Sequence, residues 1–129
     1  MTGSSRLTGI PSAVNMQLCA WATSGKPIHT ENEKRYVGWR VTYLLGSADT
    51  THESDLDTSC AGEAQGPYRF ARGKAYIQYI RQRHPRGTAQ DYAFVRGVGH
   101  DNRQMFTSAC GLAVTFERKR SSCLASGKI

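Results

Sequence analysis

Tyr92-Ala-Phe-Val-Arg-Gly-Val-Gly-His100 is a short β-type run that ends in a glycine-rich turn and presents one histidine, with Asp101 directly behind it. The earlier passage Val41-Thr-Tyr-Leu-Leu-Gly-Ser-Ala-Asp49 follows the same scheme, a strand running into a turn that presents an aspartate. What joins the two decides the fold. Between Cys60 and His84, the residues Tyr68, Ala71, Ala75, Tyr76, Tyr79, Ile80 and Arg83 recur at three- and four-residue spacing. That is the period of a helix with one buried face. Pro67 stands where such a helix can begin, and Pro85 and Gly87 end it.

Working outward, residues 36–45 read as a strand, with Val37, Trp39, Val41, Tyr43 and Leu45 alternating against Gly38, Arg40, Thr42 and Leu44. Residues 91–95 read as a second strand, and residues 107–116 as a terminal helix with Leu112, Ala113 and Phe116 on one side. Residues 47–59 form a polar loop carrying several acids and His52, long enough in a compact domain to suggest a task. Residues 1–35 are rich in Ser, Thr, Gly and Asn and give no defined element beyond a short helix at 13–22; residues 118–129 read as a basic, flexible tail. Strand, loop, helix, strand, loop, helix is the repeating unit of an α/β fold, a three-layer arrangement of parallel strands with crossover helices. Two parallel strands make an incomplete sheet. Such a chain is expected to need a missing N-terminal part, or self-association, to complete it.

A length of 129 residues is that of one ordinary domain. The formal charge of +7 invites a nucleic-acid reading, but its distribution argues against one. Five acids and no Lys or Arg fall between Leu44 and Gln65; from Gly66 to Lys128 twelve basic residues face three acids. An acidic loop followed by a basic helix can pair with itself, and no aromatic-basic motif of the RNA-binding kind is present. No apolar stretch approaches a membrane span, and the N-terminus has no basic segment leading into an apolar one, so neither a membrane partner nor an export signal is expected. Ser24-Gly25-Lys26 is not a phosphate-binding loop, because Ala20 and Pro27 occupy positions that need Gly and Ser or Thr. The four cysteines, at 19, 60, 110 and 123, lack metal-site spacing. A disulfide between Cys60 and Cys110 is expected if their loops converge. No metal and no cofactor is implied.

In open α/β sheets, functional groups gather beyond the carboxyl ends of the strands. Neighbouring parallel strands would bring Asp49 and His100 to one rim, where the carboxylate accepts from one imidazole nitrogen and leaves the other free to take a proton from a hydroxyl. Glycines at 97 and 99 allow the turn that presents the histidine. A Gly-His-Asp turn equally suits a surface histidine with no chemical role. His29, His52 and His84 are weaker candidates, His84 because a cation at a helix end is explained by the macrodipole. The matching nucleophile is missing: no Gly-x-Ser-x-Gly occurs in the chain, and Ser47, Ser59, Ser108 and Cys110 lack the strained elbow that would hold one.

The passages at 43–49, Leu56-Asp-Thr-Ser-Cys60, Ala64-Gln-Gly-Pro-Tyr-Arg-Phe-Ala-Arg-Gly73, Val98-Gly-His-Asp101 and Met105-Phe-Thr-Ser-Ala-Cys-Gly-Leu-Ala113 resemble the C-terminal third of a group of bacterial α/β-hydrolase-fold proteins. The likeness covers residues 39–116, and acid before histidine matches the Ser, Asp, His order of that fold. It implies a partial α/β-hydrolase-like region over residues 36–117, with Asp49 as the triad acid and His100 as the general base. It further implies a secreted or periplasmic parent that cleaves a small-molecule ester or related acyl bond. Carrying acid and histidine without nucleophile or oxyanion hole, the isolated chain is expected to be inactive. The rival readings are a small basic binding or interaction protein without chemistry and, less favoured, a nucleic-acid binder using the Arg-rich helix and tail.

Overall fold

The computed structural model of the chain is described over residues 30–129. Within them, five helices and a three-stranded mixed sheet alternate: α1 (Thr30–Val37), β1 (Thr42–Gly46), α2 (Cys60–Gln65), α3 (Arg69–Arg83), β2 (Asp91–Val95), α4 (Asn102–Thr107), α5 (Ala109–Thr115) and β3 (Ala125–Lys128). The helix expected at 13–22 lies outside the described residues. None of the helices described is long and apolar enough to cross a membrane.

The strand order is β1-β2-β3. β1 and β2 run parallel in the register Thr42 to Asp91 through Gly46 to Val95. Side chains alternate across the pleat, and the two faces of β2 bury different clusters. Tyr92 and Phe94, with Tyr43 and Leu45 of β1, pack against Val37, Ile77, Ile80 and Ile129. Ala93 and Val95, with Leu44, meet Val98, Cys110, Met105, Val114 and Cys123. Helices α1 and α3 thus cover one face, while α4 and α5 cover the other.

A hydrogen-bonded chain stitches the first of these layers. Tyr36 and Tyr43 join hydroxyls at 2.5 Å, the Tyr43 hydroxyl donates to that of Tyr76 at 3.0 Å, and Tyr76 donates to Oε1 of the fully buried Gln90 at 3.1 Å. Gln90 closes the circuit through Nε2 to the Tyr36 carbonyl at 3.2 Å. Burial, reinforced by these hydroxyl contacts, pushes Tyr43 well above the ordinary phenol range. Glu33 of α1 accepts from Arg83 Nε at 2.6 Å and lies 2.8 Å from His84 Nε2 at the end of α3. Burial raises the Glu33 carboxyl, but these two partners outweigh it and hold the group below its ordinary value.

Four expectations need correction. Residues 36 and 37 are not strand; they close α1, whose first turn carries Glu31 and Glu33 and whose last carries Lys34 and Arg35, each complementing the helix dipole. Val37 matches the strand alternation but faces the core as the last residue of a helix, and the strand starts only at Thr42. The helix expected over 107–116 starts only at Ala109 and follows a separate helix at Asn102–Thr107, because Ser108 is extended and its hydroxyl accepts from the Gly111 N–H, starting α5 afresh. The tail is not frayed. Residues 125–128 pair antiparallel with β2, and Ile129 is buried beside Ile77 and Ile80. The disulfide expected between Cys60 and Cys110 is instead Cys110 to Cys123, while Cys60 is bonded elsewhere. Cys110 points into the α4–α5 side of the sheet, where the chain returning to form β3 passes.

That bond closes a short loop around the end of α5 and ties β3 to the core, so its loss chiefly enlarges the unfolded ensemble. Replacing both cysteines, C110A with C123A, is expected to lower unfolding free energy by about 3 kcal/mol, read as a drop in the urea midpoint. An unchanged midpoint would show that β3 docks without the tether.

Candidate active site

The turns after β1 and β2 interlock. Ser47 N–H donates to the Val95 carbonyl at 2.9 Å and Ala48 N–H to the Val98 carbonyl at 2.9 Å, while Gly97 N–H donates to Ser47 Oγ at 2.8 Å. Gly46 is required by contact: a Cβ there would lie 2.3 Å from the Val98 carbonyl oxygen. Gly97 is required by conformation, with φ at +69° in the left-handed region. These two glycines let the strand ends cross closely enough to face their side chains together.

The result is contact between the two residues singled out from sequence. His100 Nδ1 lies 3.2 Å from Asp49 Oδ2. An ionised carboxylate only accepts, so Nδ1 donates and Nε2 is left as an acceptor. The Asp49 side chain is 11% exposed and that of His100 45% exposed, so the carboxylate is held inside and the imidazole meets the surface. The Asp49 carbonyl accepts from Phe70 N–H at 3.1 Å, which pins the acid's backbone to the start of α3. Its second carboxylate oxygen, Oδ1, is buried and accepts no hydrogen bond among the described residues. A buried acceptor left unpaired is costly and calls for a reason.

Beside the pair is a cavity of about 280 Å³, lined on its apolar side by Leu44, Leu45, Phe70, Met105 and Phe106. Arg69 stands at its wall and was not singled out by the sequence, where it reads as one more surface cation at a helix start. In the fold it gathers the acidic loop, with Nη1 3.3 Å from Glu53 Oε2 and Nη2 2.8 Å from Asp55 Oδ1. Hydrogen bonding to Arg69 holds the Asp55 carboxyl below its ordinary value. Glu53, Asp55 and His100 each offer a ligand atom within 4.8 Å of one another, the grouping among the described residues that could hold a metal ion. Arg69 already compensates both carboxylates.

The other candidates are occupied elsewhere. Ser47 Oγ braces the loop; Ser59 Oγ accepts from Gly62 N–H and donates to Asp57; Ser108 Oγ accepts from Gly111 N–H and donates to the Met105 carbonyl. Cys110 is in its disulfide. His52 faces Glu63 at 3.5 Å on the surface, His84 belongs to Glu33, and His29 lies outside the described residues. Asp101 caps α4, its carboxylate accepting from Gln104 N–H at 2.8 Å.

In shape, the chain is similar to a solved structure, that of LpqC, a poly(3-hydroxybutyrate) depolymerase from Bordetella parapertussis, with a TM-score of 0.61 and 24% identity. The likeness is one of fold. It covers 73% of this chain and 33% of the depolymerase, so this chain spans about a third of the protein it matches. The match fits a partial α/β-hydrolase-like fold. No protein-family profile matches the sequence, and no curated protein matches it.

The close crossing of the two turns is directly testable. Gly46→Ala places a Cβ against backbone that has little room to move, and is expected to lower unfolding free energy by about 1–3 kcal/mol in urea titration. Unchanged stability would mean that the strand ends do not approach this closely.

Proposed function

We propose that this chain is the acid–base portion of a serine-type α/β hydrolase that cleaves ester or related acyl bonds, with the nucleophile supplied by a segment other than residues 30–129. The observation that carries the reading is the 3.2 Å contact between Asp49 and His100 at the carboxyl ends of adjacent parallel strands. As a serine hydroxyl attacks the acyl carbon, His100 Nε2 takes its proton and later returns it to the leaving alkoxide. Asp49 holds the ring with Nε2 outward and stabilises the imidazolium. The depolymerase named above acts on a polyester, which favours an ester as the bond broken.

Two features of the fold support a shell completed by another segment. Among the described residues β1 pairs on one side only, leaving an edge that a further strand would cover. Asp49 Oδ1 awaits a donor that a neighbouring loop would supply. The disulfides support an oxidising compartment for the parent protein. Its partner is then a small ester or acyl substrate, bound beside Phe70, Met105 and Phe106.

The isolated chain is expected to give no turnover of activated short-chain esters above buffer. A chimera in which residues 39–129 of this chain replace the matching third of the depolymerase supplies the positive arm. It is expected to hydrolyse such esters, and His100→Ala in it to reduce kcat by about 10⁴-fold or more. A folded, active chimera indifferent to His100→Ala would overturn the reading, as would turnover by the isolated chain that survives the same change.

A further inference from the structure

The rim opposite the Asp49–His100 pair holds a second and larger cleft, of about 410 Å³. It opens at the amino ends of β1 and β2, where Thr42 and Asp91 begin their strands, and at the carboxyl end of the antiparallel β3, where Lys128 ends its own. Arg40, Arg118, Arg120 and Lys128 line it together with two acids, Asp91 and Glu117.

The pairing among these groups is uneven. Asp91 is shared, with Arg120 Nη2 3.3 Å from Oδ2 and Lys128 Nζ 2.7 Å from Oδ1, the latter an ion pair without hydrogen-bond alignment. Glu117 meets Arg40 at 3.2 Å, and does so from a backbone φ of +52°, the left-handed region that favours glycine. Arg118 meets no carboxylate among the described residues; its guanidinium stands 5.5 Å from the centre of the Phe116 ring. Four cations therefore face two anions, and the cleft carries an excess of two positive charges. Guanidinium groups on a shared cavity match the paired oxygens of phosphate or carboxylate in geometry as well as charge.

We infer that this cleft is a binding site for a small, doubly charged oxyanion, a phosphate ester or a dicarboxylate, separate from the hydrolase-like site. The Arg118 guanidinium is its unpaired anchor, and Arg120 and Lys128 close on the ligand from the Asp91 side. The excess charge of two sets the preferred ligand charge.

Calorimetric titration of the full chain with inorganic phosphate, and separately with succinate, in 0.15 M salt tests this and identifies which oxyanion is preferred. Saturable one-site binding of either is expected, weakened about tenfold by Arg118→Gln and unchanged by His100→Ala. Arg118→Gln removes no carboxylate partner, so its fold is expected to be intact by circular dichroism. Absence of saturable binding at millimolar anion, or binding indifferent to Arg118→Gln, would overturn the assignment. So would binding of a single-stranded oligonucleotide in preference to both small anions. Because His100→Ala spares the site, failure here leaves the hydrolase reading standing, and the reverse also holds.

Discussion

The parallel pairing of β1 with β2 is the constraint on which the rest depends. Registering Gly46 against Val95 ends both strands at one level, so the turns that follow them compete for the same space. The competition is resolved by glycine at 46 and 97 and by backbone donors from Ser47 and Ala48. Asp49 and His100, 51 positions apart, are delivered to each other as a consequence. A slip of one residue would turn every side chain of one strand to the opposite face, exchanging the Tyr43–Leu45 and Leu44 environments and separating the pair.

Much of this was legible because period and punctuation agreed. Asp91-Tyr-Ala-Phe-Val95 is strand over the expected residues, since alternate positions serve two cores and its end is marked by a glycine turn. Helix α3 follows its tyrosine and isoleucine spacing. The errors lie where a local pattern was overruled. Val37 obeyed the strand alternation but was claimed by the acid-led helix before it. Ala-Ser-Gly-Lys has almost no intrinsic preference for β structure; it becomes β3 because Cys123 is tethered behind it and Ile129 is buried ahead of it. Cysteine pairing was not legible at all, because spacing does not reveal which side of a sheet a sulfur will face.

The candidate site was legible in its chemistry but not in its setting. Aspartate and histidine could be named from their turns, and their meeting was an inference about topology alone. The enclosure could not be read in the same way. Arg69 draws Glu53 and Asp55 across the rim, and Phe70, Met105 and Phe106 contribute an apolar wall from two helices that the sequence does not place side by side. The acidic stretch that looked like a partner for the basic helix in general is clasped in particular by that helix's first residue. Ser47, Ser59, Ser108 and Cys110 are each committed to a brace, a cap or a bond.

Asp49 and His100 form one hydrogen-bonded unit, with Nδ1 as donor. Proton–nitrogen NMR of the chain carrying labelled histidine tests it most directly. A slowly exchanging proton is expected on His100 Nδ1, absent from Nε2 and abolished by Asp49→Ala. A ring whose two nitrogens exchange alike with water, with a spectrum unaltered by Asp49→Ala, would contradict it.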